Sequence, residues 1–500
     1  MKIELEKLRL IGLTGSTTST TEAPLILLEG EEADVREEEV VVVDNRGSLI
    51  FAVCRQGLGI NENLRVGGYS PGVAYVRSTG KPPSTAKESY HFILSFIGVF
   101  TDEGLKTNDS IVAPGSPVYL FRGSGVNPFD YLKPSECVMG GYLASAKKKG
   151  EEWQIPFDKT FIPYHIGVFG ATGSGKSRLA RHVLIPLLKK AGYGVLVLDW
   201  EGVDYTPFFK QESISICDFR MDAYAAADFV VRSADYFGYD NEEKPVPQAV
   251  IHVMSRDMGD GEKWWDKISI NAKNGGELRE KLRVEVLERL KKRDTKNQYM
   301  AIWEFKFESG LEKIMDEDWE LLYRFASGKT SVEDFKLPSQ GEVCVIDMSE
   351  VSDELKLSFF SKLCSKILST MQKLRDKKLR LALIIDEAPQ YCPFEPRGLR
   401  VKTTEQIKNL CALGRKRELC VVLLAQGMAG EIGINAAVRR NLNTLFIGQI
   451  HPLDLEEAGK RLAPYGIKPE KLLYLNPGEF YFTGKINPLP TPLLISFKID

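Results

Sequence analysis

Five hundred residues are more than one hydrophobic core organises, so about two or three domains are expected. The apolar fraction of 43% and charged fraction of 27% are those of an ordinary soluble globular chain, and a formal net charge of −2 excludes a global basic field. Any nucleic-acid contact must therefore come from a local patch or a pore.

Cys54, Cys137, Cys217, Cys344, Cys364, Cys392, Cys411 and Cys420 form no C-x-x-C pair, and His91, His165, His182, His252 and His451 are scattered. This argues against zinc or a disulfide framework and for a reducing compartment. The N-terminal MKIELEKLRL lacks the apolar core of a signal peptide, and no run approaches a membrane span. A cytoplasmic protein without a membrane partner is expected.

Residues 1–150 read as a small β-barrel. Runs such as Glu39–Val43, Ser48–Val53 and Pro117–Phe121 are β-branched or aromatic and are separated by turn signals. Asp44-Asn45-Arg46-Gly47 reads as a hairpin turn. The charged stretch Ala144–Trp153 reads as a linker.

From Phe161 strands alternate with helices, the pattern of an α/β fold with a parallel sheet covered by helices. The strands expected are Ile166–Phe169, Val195–Asp199, Val343–Ile346, Leu381–Ile385, Cys420–Leu424 and Thr444–Gly448. All are short and apolar throughout, as central parallel strands must be. Between 206 and 335 the alternation fails. This segment reads as an inserted helical subdomain, with Leu278–Leu290 its clearest amphipathic stretch and Trp264 and Trp265 as core or docking residues. The α/β core is then 151–205 together with 336–500.

The stretch HIGVFGATGSGKS, from His165 to Ser177, contains the complete G-x-x-x-x-G-K-[ST] phosphate loop between a strand and a helix that runs from Arg178 until Gly192. Gly170, Gly173 and Gly175 let the backbone turn its N–H groups inward. Thr172, Ser174 and Arg178 complete the expected nucleotide-binding set, Lys176 is expected to reach the β- and γ-phosphates of ATP, and Ser177 to ligate Mg²⁺.

Hydrolysis also needs a metal-anchoring acid and a group to orient water. Leu381–Ile385 delivers Asp386 to the Mg²⁺ shell and Glu387 to the attacking water, as general base or water-positioner. Cys420–Ala425 ends at Gln426, a candidate γ-phosphate sensor. Asp199 and Glu201 share that edge, either orienting Glu387 or water or standing as solvated loop acids. A helix beginning near Thr404, with Ile407, Leu410 and Leu413 on one face, ends in Gly414-Arg415-Lys416-Arg417. Arg415 is the candidate cation for the transition state, in cis or across a subunit boundary, against a basic helix end as the alternative. Arg397, Arg400 and Lys402, in the loop after the acidic strand, are candidate DNA-phosphate contacts, against a solvated charged loop.

A β-rich N-terminal part, the loop ATGSGKS, a following strand ending in an acid, the IIDEA strand, the GRK helix end and the strand ending in Gln426 together resemble the HerA branch of the HerA/FtsK ATPases. The resemblance covers nearly the whole chain. It implies a RecA-like P-loop core, an N-terminal barrel like that shared with ATP synthase subunits, and closing strands around Leu475-Asn476-Pro477-Gly478-Glu479. It further implies a homo-hexameric ring that threads duplex DNA using ATP and works with a NurA-type nuclease. Lys176 and Ser177 then take the phosphate and metal roles, Asp386 and Glu387 the hydrolytic ones, Gln426 the sensor role and Arg415 a γ-phosphate role. The chain departs from the family pattern in having Tyr164 where an Arg commonly precedes the His, Asp199-Trp200-Glu201-Gly202-Val203-Asp204-Tyr205 for D-Y-H-G-E-Y, and Ala388-Pro389 for Ala-His. ATPases of conjugation, packaging or defence, and a nucleotide-binding scaffold with little turnover, are the alternative functions.

Overall fold

The computed structural model describes residues 3–64, 70–81, 88–101, 104–234, 244–259, 261–294, 296, 298–374 and 377–498. The chain forms two compact units: one of residues up to Val195 with Arg380–Glu395 and Cys411 onward, the other of Leu196–Leu379 with Pro396–Leu410.

The first unit opens with the expected barrel. Strands Arg9–Thr14, Glu22–Leu27, Glu88–Thr101, Ser48–Asn61, Val40–Asn45 and Pro117–Leu120 pair in that ring order, all antiparallel, and the last returns to the first. Closure removes the free edges that a small sheet otherwise exposes. The pleat sends Val41, Val43, Ile50 and Ala52 into the barrel core with Ile11, Leu25, Leu94 and Leu120. The hairpin turn is Arg46-Gly47, with φ of 56° and 91°, and Asp44 Oδ1 accepts from the Gly47 N–H at 2.7 Å. Two positive φ angles in a two-residue loop match the right-handed twist of the strands.

The same unit holds a mixed sheet in the order Leu381–Ile385, Leu419–Ala425, Ile166–Phe169, Thr444–Ile447, Phe480–Gly484, Leu493–Ser496, Cys137–Leu143, Gln154–Asp158. The first four strands are parallel and the rest antiparallel. Residues Ala144–Trp153, expected as a linker, are therefore the connection of a hairpin within this sheet. Ala144–Lys147 is a helical turn, Leu143 N–H donates to Trp153 O at 3.0 Å, and Trp153 is buried.

Barrel and sheet are joined through buried charge. Glu38 and Arg55, both almost wholly buried, form an ion pair at 3.5 Å. Arg55 Nη2 donates to Pro492 O at 2.6 Å and Thr491 Oγ1 at 3.2 Å, while Glu38 Oε1 accepts from Tyr481 Oη at 2.9 Å and Lys471 Nζ at 3.3 Å. Burial, reinforced by Glu38, holds the Tyr481 phenol well above its ordinary pKa, so it stays a donor.

In the second unit, strand Ser213–Ser215 pairs parallel with Val343–Asp347, which runs one residue longer than expected. Helices Ala223–Ser233, Pro245–Ser255, Trp264–Asn271, Gly275–Arg293, Met300–Leu311 and Asp316–Ser327 fill the segment expected to be helical. Leu278, Leu282, Val286 and Leu290 form the buried stripe of Gly275–Arg293. Trp264 and Trp265 are core residues, and Trp265 Nε1 donates to Met221 O at 2.7 Å. Among the described residues no helix is long and apolar enough to cross a membrane.

Candidate nucleotide site

The phosphate loop is built from a strand with no exposed residue. Ile166–Phe169 lies between two parallel neighbours, with Phe169 opposite Ala425 on one side and Ile447 on the other. The loop is tied down where it leaves the sheet. Gly170 N–H donates to Ala425 O at 3.2 Å, Ala171 N–H to Gln449 O at 2.6 Å, and Ser174 N–H to Ala171 O at 3.1 Å. A Cβ on Gly170 would stand 2.5 Å from Ser174 Oγ, and Gly175 sits at φ 96° with Gly478 N 3.2 Å from where its Cβ would be. Only glycine fits at either place.

Lys176 opens the following helix and is largely buried, its Nζ directed back to Ala171 O at 3.5 Å. The helix is one rod with a π turn at Ala180–Leu184, just before Pro186, whose missing N–H and bulky ring a regular α ladder does not accommodate. The N–H groups of its first turn have no acceptor within the helix itself, the arrangement that favours an anion at a helix N-terminus.

Asp386 and Glu387 follow Leu381–Ile385 at the carboxyl end of the sheet. One strand separates them from the phosphate loop, and it is the strand that ends at Gln426. Asp386 is buried and its Oδ1 accepts from the Glu387 N–H at 2.9 Å. Glu387 takes a left-handed conformation, φ 46° and ψ 49°. Gln426 connects the two halves: Thr172 Oγ1 donates to its Oε1 at 3.1 Å, and its Nε2 lies 3.4 and 3.5 Å from the Glu387 carboxylate oxygens. The loop after Gln426 is pinned by buried Asp454, which accepts from the Met428 and Ala429 N–H groups at 2.9 and 3.1 Å, and by Arg439, which donates to Met428 O.

Ser177 and Asp386 offer the hydroxyl and carboxylate oxygens that Mg²⁺ takes as hard ligands. The donor chemistry on this side of the loop therefore fits that ion.

The remaining candidates lie elsewhere. Arg415 follows helix Leu399–Gly414 and precedes Leu419–Ala425, so it stands at the end of that strand opposite Gln426. Its guanidinium carbon is 4.3 Å from the Tyr164 ring centroid. Leu413 does not share the buried face of Ile407 and Leu410: it is 57% exposed, and Cys411 takes the inward position. The helix begins at Leu399, so Arg400 and Lys402 are helical rather than in a loop, and Arg400 Nη2 is 3.5 Å from Asp353 Oδ2. Asp199 is committed to its own turn, accepting from the Gly202, Tyr205 and Thr206 N–H groups and from Thr206 Oγ1, all within 3.1 Å. Glu201 is exposed.

Two participants were not assigned from sequence. Gly478 N–H donates to Ser174 O at 2.8 Å, and Glu479 pairs with Lys148 at 2.6 Å while accepting from Asn476. The turn Asn476–Glu479 thus braces the phosphate loop from behind, and Asn-Pro-Gly-Glu was its only local signal. His165 is buried at φ 66°, with Nδ1 accepting from the Val421 N–H at 3.2 Å and Nε2 2.8 Å from Cys411 O. Burial lowers its pKa to about 4, so it is neutral and carries its proton on Nε2.

Residues 140–367 match a family model described as "Helicase HerA, central domain". No curated protein matches the chain. Among solved structures it is similar to VirB4 of Thermoanaerobacter pseudethanolicus (14% identity, 73% of this chain and 98% of that one, TM-score 0.46). It is also similar to the bacterial conjugative coupling protein TrwBΔN70 (16%, 69% and 87%, TM-score 0.42) and to the genome packaging NTPase B204 from Sulfolobus turreted icosahedral virus 2 in complex with ATPγS (14%, 67% and 99%, TM-score 0.33). The matched segment takes in the phosphate loop and the helical insertion and stops short of Asp386 and Gln426. Over residues 140–367, somewhat less than half of its length, this chain is thus similar to the HerA central domain.

Proposed function

We propose that the protein is an ATP-hydrolysing motor that moves duplex DNA as a homo-hexameric ring, in partnership with a NurA-type nuclease. The observation that carries this reading is the Gln426 bridge. A phosphate loop alone binds nucleotide, whereas here an amide at the intervening strand end touches both Thr172 of the loop and the Glu387 carboxylate.

In this reading Gly170, Thr172, Gly173, Ser174, Gly175, Lys176, Ser177 and Arg178 hold the triphosphate, with Lys176 turning from Ala171 O to the β/γ oxygens. Mg²⁺, when bound, neutralises charge on those oxygens, and Ser177 and Asp386 are the residues to hold it. Glu387 orients the attacking water and accepts its proton, and Gln426 passes from Thr172 to the γ-phosphate when nucleotide fills the loop. Arg397, Arg400 and Lys402, around the start of Leu399–Gly414, contact DNA phosphates without reading bases.

The test is ATP turnover and particle mass measured together, with and without linear duplex DNA. Turnover by a ring-sized particle that rises several-fold with DNA, and falls steeply with salt, is expected. Absent turnover, or turnover indifferent to DNA, defeats the motor.

A further inference from the structure

Helices Gly275–Arg293 and Met300–Leu311 of the second unit run antiparallel, and Arg283 Nε donates to Glu308 Oε1 between them at 2.9 Å. Their ends are tied together at the tip. Asp294 follows the first helix, and its carboxylate accepts from the Gln298 N–H at 3.1 Å and from the Tyr299 and Met300 N–H groups at 2.7 and 2.8 Å. Those bonds set Lys291-Lys292-Arg293, the last turn of the first helix, beside the first turn of the second.

Helix Met300–Leu311 is apolar on two faces. Met300, Phe307 and Leu311 are buried and make the inner one. On the outer side Tyr299, Ile302 and Phe305 are 54%, 54% and 62% exposed, at the three-residue spacing that lines side chains up along one face. The Trp303 ring stacks beside that of Tyr299, with centroids 5.9 Å and planes 21° apart. A helix that is apolar all round belongs in an interior, so the outer face points to an occupant.

Charge and shape select that occupant. Lys291, Lys292, Arg293 and Lys306 are all exposed, against the acids Glu288 and Glu304, so the tip is net positive. Among the described residues Lys291, Lys292 and Lys306 make no ion pair. The fit is to an anionic partner. Side chains more than half exposed project from the surface instead of lining a groove, and a groove is what holds a partner helix. Projecting rings interleaved with cations are what a single nucleic-acid strand requires: phosphates meet the ammonium groups, and unpaired bases stack on the rings. A duplex keeps its base faces stacked inside and offers these rings nothing.

We propose that the tip of this helical pair is a docking surface for single-stranded DNA, with the Tyr299, Trp303 and Phe305 rings as base-stacking platforms and Lys291, Lys292 and Lys306 as phosphate contacts. The choice of DNA over RNA rests on the motor reading above, whereas the preference for a single strand rests on the rings. Every base has a face to stack, so little sequence preference accompanies the contact. The inserted helices thereby gain a task separate from the duplex contacts assigned to Arg397, Arg400 and Lys402: they hold a strand parted from its complement.

The experiment follows, without ATP, the fluorescence anisotropy of labelled oligo-dT of about 20 nucleotides, of oligo-rU of the same length and of a duplex of that length, each titrated with the full chain. A joint Tyr299→Ala, Phe305→Ala variant is expected to bind oligo-dT at least about tenfold more weakly, with duplex affinity changed less than about twofold and the melting temperature unmoved. Tyr299→Phe keeps its ring and is expected to bind as wild type does. A joint Lys291→Ala, Lys292→Ala variant is expected to flatten the slope of log affinity against log salt by about 1.4, at roughly 0.7 for each phosphate contact, whereas the ring variant leaves that slope alone. Unchanged oligo-dT binding by the ring variant, an equal loss of duplex binding, or tighter binding of oligo-rU overturns the proposal. So does a wild type that ignores oligo-dT and binds phosphatidylserine vesicles through the same residues. Oligo-dT held through the rings by a protein whose ATP turnover is indifferent to duplex brings down the motor reading and leaves this surface standing. Duplex-driven turnover beside a ring variant that still binds oligo-dT normally brings down this inference alone.

Discussion

Thr172 and Gln426, 254 positions apart in the chain, share a 3.1 Å hydrogen bond, and the same amide touches Glu387 from its other end. The phosphate loop and the acidic strand are thus linked through this one side chain. Replacing Gln426 with Ala leaves both halves in place and removes the link. The expected result is nucleotide affinity within about threefold of wild type and kcat lower by about 100-fold, read by steady-state turnover beside equilibrium binding.

Variants of Lys176 and Glu387 are expected to separate binding from chemistry. Lys176→Ala is expected to weaken ATP binding more than about tenfold. Glu387→Gln, nearly isosteric, is expected to bind ATP normally and lose at least about 100-fold in turnover, trapping unhydrolysed ATP. Normal hydrolysis by the glutamine variant removes the role assigned to Glu387.

Asp454 tests whether the loop after Gln426 must be rigid. Its carboxylate takes two backbone N–H groups, so Asp454→Ala strands both donors, at about 1–3 kcal/mol each, and releases the loop. Asp454→Asn keeps an acceptor and is expected to fall between wild type and Ala in both melting temperature and kcat. Equal kcat in all three sequences leaves Asp454 with a purely structural role.

His165 sets an acid limit. Its folded-state pKa of about 4 lies below the ordinary value of 6.5, so between those values the unfolded chain binds the proton and the folded chain does not. Stability from this group is complete above pH 6.5 and declines to about pH 4, where roughly 3 kcal/mol has gone at 1.36 kcal/mol per pKa unit. Urea unfolding across that range should show a shallower pH dependence for His165→Asn than for wild type.

The Glu38–Arg55 pair is predicted to be costly to break from one side. Arg55→Ala leaves the Glu38 carboxylate buried against the Tyr481 and Lys471 donors, and a loss of about 3–5 kcal/mol is expected. A joint Glu38→Gln, Arg55→Met variant should recover part of that in chemical denaturation.

The strands of the site were legible because each is buried along its whole length, so Ile166–Phe169 and Leu381–Ile385 stand out with no knowledge of their neighbours. Arg415 was legible as a cation and not as to place, since which end of a strand it occupies depends on the chain direction of Leu419–Ala425 relative to Ile166–Phe169. Leu413 broke the expected face because Cys411, small and inconspicuous, takes the buried position. The hairpin through Ala144–Trp153 looked like a linker because Lys147–Lys149 and Glu151–Glu152 read as a solvated run, whereas Lys147 donates to Phe497 O, Lys148 pairs with Glu479 and Glu151 accepts from the Gly123 N–H. Its reason for folding lies far downstream, in the pairing of Leu143 with Ile495.

That pairing has a consequence for how the protein is made. Cys137–Leu143 leaves the ribosome long before Leu493–Ser496, and Lys147 donates to a carbonyl 350 positions later, at Phe497. The nascent barrel can close on its own strands, while the sheet carrying the phosphate loop waits for its antiparallel flank until translation has nearly finished. Ribosome-bound chains truncated before Leu493 should hold a folded barrel and an unfinished nucleotide site, so the order of synthesis itself delays nucleotide binding until the chain is nearly whole.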